Sequence, residues 1–308
     1  MMLVQPSNDL SAKIRQELRE PESVDAIEKD VLAIREWLAR QPHLPKDMDD
    51  QRLKTFLRGC KFSLEKVKKK LDMYYTMRNA VPEFFANRDV SRPDLKGLFD
   101  VVHIPVLPGL TPNGRRVAML RGVDKEIVTP NVADIMKLVM MIGDIRLLEE
   151  QKGVAGDVYI FDASVATPAH FAKFTPTIVK KFLICVQEAY PVKLKEVHII
   201  NVSPLVDTII NFVRPFLKEK IRQRIHFHST IDSLYKFVPK AMLPNEYGGE
   251  AGKVKDINDQ WFEKLKEYTP WFKEQEKSKA NEALRPGSPR TADDLFGMEG
   301  SFRKLSID

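Results

Sequence analysis

One continuous stretch sets the tightest limits on what this chain can become. Residues 190–228 read YPVKLKEVHIINVSPLVDTIINFVRPFLKEKIRQRIHFH. Val197, His198, Ile199 and Ile200 form a run short and β-branched enough for a strand. A helix is expected next, because the Ser203 hydroxyl suits an N-cap and Pro204 suits the first turn. Along it, Leu205, Ile209, Phe212 and Phe216 recur at helical spacing, and Val206, Ile210, Val213 and Leu217 repeat the pattern one position on. Such a stripe is wider than a helix needs to rest on a core. Arg214, Lys218, Lys220, Arg222 and Arg224 then follow, against Glu219 alone. An apolar lid and a basic patch are contiguous, and Pro215 breaks the helical ladder between them as a hinge.

The flanking sequence alternates between the two periodicities. Apolar residues fall on helical spacing from residue 10 to 40, including Ile27, Val31, Ile34 and Leu38, and Pro42 ends that run. Helices are expected over 49–60 and 63–79. Lys66, Lys68, Lys69 and Lys70 read as a solvated face opposite Leu64, Val67, Leu71 and Tyr74. Strands are expected over 101–106 and 116–120, with a Thr111-Pro112-Asn113-Gly114 turn between them. A helix over 132–151, a strand over 158–161 and a helix over 176–188 complete an alternation that predicts an α/β sheet with parallel pairing. One more helix is expected over 257–280. Residues 285–308 read as a mobile tail, within which Asp293, Asp294, Leu295 and Phe296 could dock a protein partner.

Composition narrows the class. Lys and Arg exceed Asp and Glu by six over 308 residues, too small a surplus to indicate nucleic acid. Cys60 and Cys185 both lie in apolar helical patterns, which makes a disulfide framework implausible and points to a reducing compartment. The opening MMLVQPSNDL has no signal-peptide pattern, and no apolar run reaches 18 residues. The expected setting is cytoplasmic. No catalytic constellation emerges either. Gly248–Lys253 fails as a phosphate loop at Tyr247 and Val254, and no nucleophile elbow, dinucleotide fingerprint or H-E-x-x-H pair occurs. His226 and His228 share a side if extended, but no acid or thiol lies near in sequence, so they read as structural histidines. Neither enzyme, metal site nor cofactor is expected.

Several landmarks combine in a recognisable order. Leu53-Lys54-Thr55-Phe56-Leu57-Arg58 with Phe62 resembles the helical module that precedes CRAL-TRIO (Sec14-like) lipid-binding domains. Tyr190-Pro191, His198-Ile199-Ile200-Asn201, Pro204, Pro215-Phe216, His226 and Leu243-Pro244-x-Glu246-Tyr247-Gly248-Gly249 are similar to landmarks of that domain itself. The likeness spans about residues 49–252 and is nearest to the α-tocopherol transfer protein-like subgroup.

That resemblance implies a mixed, mainly parallel sheet flanked by helices behind an all-helical N-terminal module. The implied divisions are 1–92 (helical module), 93–252 (lipid-binding domain), 253–284 (C-terminal helix) and 285–308 (tail). It implies a cavity lined by Met136, Val139, Met140, Phe161, Phe182, Cys185, Val186, Tyr190, Val192, Leu194 and Val197. The lid would be Leu205, Ile209, Phe212, Val213, Phe216 and Leu217. Lys193, Lys195, Lys220 and Arg224 match residues that engage phosphoinositide headgroups, so reversible peripheral membrane association is expected. Ala166 stands where the tocopherol carrier has a cavity tryptophan, and Gly143 where it has a serine. The implied activity is transfer of a small hydrophobic lipid such as a tocopherol, retinoid or carotenoid. Phosphatidylinositol exchange and a non-transfer adaptor are the alternatives.

Overall fold

In the computed structural model, which describes residues 3–126 and 131–297, the helical run expected over 10–40 is two helices, α1 (Asn8–Leu18) and α2 (Val24–Ala39). The breaker is Pro21, which cannot donate to a continuing ladder, and Arg19 ends α1 in the left-handed region at φ 57°. Next come α3 (Asp50–Gly59) and α4 (Leu64–Ala80). Asp49 caps α3 by accepting from the Arg52 N–H at 2.8 Å. The lysine face of α4 is not uniformly solvated. Lys70 turns inward and donates to the carbonyls of Gln187 (3.0 Å) and Tyr190 (2.8 Å).

The sheet contains β1 (Val102–His103), β2 (Val106–Leu110), β3 (Arg115–Gly122), β4 (Gly156–Asp162), β5 (Leu194–Ile200) and β6 (Ile225–His228). Its order is β1-β3-β4-β5-β6, with β2 also paired to β3. Both β1 and β2 run antiparallel to β3, whereas β3, β4, β5 and β6 are mutually parallel. The turn before β3 uses only Gly114 at positive φ (74°), not the Asn-Gly pair expected. The run over 101–106 is not one strand, because Leu98–Val101 is a helical turn and β1 and β2 are separate.

Three longer helices surround the cavity side: α5 (Val132–Glu149), α6 (Pro176–Ile184) and α7 (Pro204–Val213). Behind the sheet lies α8 (Val254–Glu267), followed by α9 (Thr269–Gln275). Trp261 of α8 is fully buried, and its indole N–H donates to the Val106 carbonyl at 2.9 Å. It belongs to a core with Val158, Ile160 and Ile200. A second core runs from the helical module into the cavity wall, joining Phe56, Tyr74 and Tyr75 to Met136, Met140, Cys185 and Tyr190.

The segment read as a mobile tail is packed up to Gly297, and residues 298–308 lie outside the described residues. Arg285 and Arg290 reach Asp72 at 2.8 and 2.6 Å. The short helix α10 (Ala292–Phe296) buries Phe296. Ion pairing and aromatic burial replace the mobility that the proline- and glycine-rich composition suggested.

Candidate functional site

Between the sheet and α5, α6 and α7 lies a cavity of about 560 Å³, within the usual range for small-molecule sites. Alternation along the strands supplies its floor: Tyr159 and Phe161 from β4, Val197 and Ile199 from β5, Ile225 from β6. Helix α5 is sandwiched between this space and both cores, so it is apolar over most of its circumference. Met136, Val139 and Met140 of α5, with Phe182 and Val186 from the α6 segment, form the walls, joined by Tyr190, Val192 and Leu194. Cys185 is placed differently from the sequence expectation. It is fully buried in the neighbouring core and does not line the space.

The α6 segment ends in a π turn, Cys185–Ala189. Such extra-residue turns re-aim side chains and occur often at functional sites. Here the turn directs Val186 to the cavity and Gln187 to the segment that follows α7. The approach of Pro191 to α3 explains Gly59, because a Cβ there would collide with the Pro191 backbone and ring.

Helix α7 covers the cavity. Its Val206 and Ile210 pack with Val197, Ile199 and Ile225 on the sheet and line the space together with Ile209, Phe212 and Val213, as does Leu217 beyond the helix. Leu205 and Phe216 do not line it. Phe216 instead meets the Phe212 ring, centroids 6.3 Å apart. The Ser203 side chain makes no capping bond, contrary to expectation, and Pro204 alone marks the start. The helix stops at Val213, and Arg214–Phe216 is a 3₁₀ turn around Pro215. Gln187 spans that break: its amide donates to the Phe216 carbonyl at 3.0 Å and accepts from the Lys218 N–H at 3.0 Å. Sequence reasoning missed Gln187, as well as Phe171 and Phe174 on the cavity wall. Phe171 ends a four-residue helix, Pro168–Phe171, too short to show any periodicity, and Phe174 follows it.

The four cations assigned together by sequence occupy different surroundings. Lys220 is exposed on the turn Glu219–Arg222, beside exposed Lys218 and Arg222. Lys218 pairs with Glu188 at 2.5 Å and Arg222 with Glu219 at 3.4 Å. Arg224 donates to the Leu194 carbonyl, and Lys195 is paired with Glu17. Lys193 lines the cavity; its Nζ is enclosed and makes no hydrogen bond among the described residues. Burial, aided by the nearby Lys61 and Lys195, pushes this ammonium down to about 7. The structure does not gather these four on one open face.

Tyr190 ties the cavity wall to the helical module. Its hydroxyl donates to Asp144 Oδ1 at 2.7 Å, as does that of Tyr74 at 3.0 Å. Arg88 reaches Asp144 Oδ2 at 2.6 Å and Arg78 also bonds it. Burial raises the Asp144 carboxyl, but the two guanidiniums outweigh it and hold the group at about 2. Gly143 lies against this arrangement, since a Cβ there would stand 3.2 Å from the Tyr190 ring.

The histidines form a separate network. His198 Nδ1 and His228 Nε2 are 2.9 Å apart, and His228 Nδ1 is 2.6 Å from Ser233 Oγ. Burial lowers His198 to about 4. Among the described residues, no group of three or more His, Cys, Asp or Glu side chains is placed to hold a metal ion, and no helix is long and apolar enough to cross a membrane.

Comparison with known proteins gives two domain matches: a CRAL/TRIO domain over residues 103–249 and a Pinta-like UBA domain over 23–95. The chain is 32% identical over 251 residues to alpha-tocopherol transfer protein-like of Homo sapiens and of Mus musculus, covering 80% of this chain and 72% of either relative. It is 26% identical over 249 residues to clavesin-1 of Rattus norvegicus, covering 79% and 69%. The crystal structure of Sfh5 aligns with TM-score 0.50 and 15% identity over 83% of this chain and 93% of that one, a likeness of fold.

Proposed function

The chain belongs to the CRAL/TRIO family, and from that premise we propose that it carries a small hydrophobic lipid and exchanges it with membranes. The observation that carries this reading is the apolar cavity closed by α7, with an exposed basic turn at the end of the same lid. A lipid with ~400 Å² of apolar surface gains about 10 kcal/mol on burial, at ~25 cal/mol per Å². A bilayer offers it a similar gain, so the carrier has only to match the membrane and shield its cargo in transit. Closed, the apolar face of α7 seals the space; opened, the same face can rest among lipid tails.

Docking is assigned to phosphoinositide headgroups at the exposed cations Lys218, Lys220 and Arg222, with Arg214 nearby. Each cation near an anionic surface contributes about 1 kcal/mol. Lys195 and Arg224 would join by exchanging their present partners. A tocopherol, retinoid or carotenoid suits the wall of Met, Val and Phe. Ala166 leaves room where the tocopherol carrier is filled, whereas the Tyr190 ring packs close against Gly143. Vesicle-to-vesicle transfer of a fluorescent apolar lipid tests the reading: the native chain should accelerate transfer when the acceptor contains phosphoinositide. No acceleration with acceptor vesicles that contain phosphoinositide or with vesicles that lack it would reject it. No catalytic role is proposed.

A further inference from the structure

Lys193 is the anomaly of the cavity wall. It lines a space bounded mainly by apolar side chains, yet its Nζ is enclosed and bonded to nothing among the described residues. Gly59, Gly156 and Leu194 line the same cavity. Of the carboxylates that line the cavity, Glu150 and Asp157 are both engaged by Arg146, and Asp162 accepts from Asn201 and Tyr247. Glu17 is taken by Lys195, and Glu20 by Arg58. Lys61 and Lys195 add positive charge, and the acid that partly offsets it, Glu17, is itself bonded to Lys195. An ammonium left without a counter-charge in apolar surroundings is costly, and such groups are ordinarily paired.

We infer that the cargo carries a single anionic group, a carboxylate in its simplest form, and that Lys193 receives it while the apolar body fills the rest of the cavity. This deepens the carrier reading and rests on it. The cargo class narrows from any apolar lipid to an amphipathic lipid acid, because one ammonium balances one negative charge. The residue is thereby moved from the membrane-facing set to the cargo site. As a compact point charge on a flexible stem, a lysine tolerates several approach angles of a carboxylate.

The test compares oleic acid with oleyl alcohol, which share a chain and differ in the head, on the delipidated full chain and on Lys193→Met at neutral pH. The expected acid-to-alcohol preference in the native chain is about tenfold, the size of a charge-assisted hydrogen bond, and Lys193→Met brings the ratio to about one. Equal affinities in the native chain, or a preference that survives the substitution, overturns the inference and leaves the carrier reading standing. If Lys193→Met binds neither ligand, Lys193 is structural and the inference also fails. Binding of neither ligand by the native chain contradicts the carrier reading itself. A parallel arm measures binding to phosphatidylserine-containing vesicles. If Lys193→Met weakens vesicle binding and leaves the acid preference intact, the anion is a membrane headgroup and the inference is wrong.

Discussion

The ring of Phe171 meets that of Phe212 edge-on, with centroids 5.2 Å apart and planes at 90°. One belongs to the short helix after β4, the other to the lid, so the pair bridges the cavity mouth. Edge-to-face pairs contribute about 0.5–1.5 kcal/mol beyond area burial. Phe212→Ala should therefore speed cargo release about tenfold, read by stopped-flow loss of a fluorescent lipid, with little change in melting temperature. An unchanged release rate would place the opening elsewhere.

Gln187 holds the far end of the same lid through its two bonds across the Pro215 break. Each neutral hydrogen bond is worth about 1 kcal/mol. Gln187→Ala should raise the release rate several-fold, and proteolysis within residues 214–218 should accelerate with it. Release that quickens without added cleavage would uncouple the lid from this anchor.

The exposed turn gives a charge prediction. Lys220→Glu with Arg222→Glu should weaken binding to phosphoinositide vesicles by more than tenfold, from about 1 kcal/mol per cation. Physiological salt should weaken the native chain relative to low salt, because exposed charges are screened. Co-sedimentation reads both effects. Binding indifferent to both would remove the headgroup from the mechanism.

Asp144 predicts acid behaviour. Its folded-state value of about 2 lies below the ordinary carboxylate value of 3.8. Its stabilising contribution is thus full above the ordinary value and is lost as pH falls through the folded one. Asp144→Asn leaves Arg78 and Arg88 buried without their carboxylate and should cost about 3–5 kcal/mol at neutral pH. The native chain should lose about 2 kcal/mol of that advantage, between about pH 4 and pH 2. Equal denaturant midpoints at neutral pH would show that the buried arginines find another partner.

Much of this arrangement was legible in the sequence because it rests on local periodicity. The strands at Val158 and Val197, helix α5 and the double stripe of α7 are all patterns within a few turns of chain. What escaped depends on contacts distant in sequence. Lys70 looks like one member of a lysine run, yet it bonds the carbonyls of Gln187 and Tyr190. Lys193 and Lys195 are two residues apart in a strand pattern, but one is enclosed against the cavity and the other meets Glu17 of α1. The break at Pro21 went unread, because apolar residues keep helical spacing on both sides of it. The tail lacked apolar content, but Arg285, Arg290 and Phe296 each found a partner that no local pattern announces.

The central claim is that the closed cavity carries one small lipid. Gentle purification of the full chain, organic extraction and mass spectrometry test it most directly. The account predicts about one non-phospholipid, apolar-bodied molecule per chain, lost on treatment with excess vesicles. A stoichiometric phospholipid in the extract, or a chain that is empty and refuses every apolar ligand offered, would contradict it.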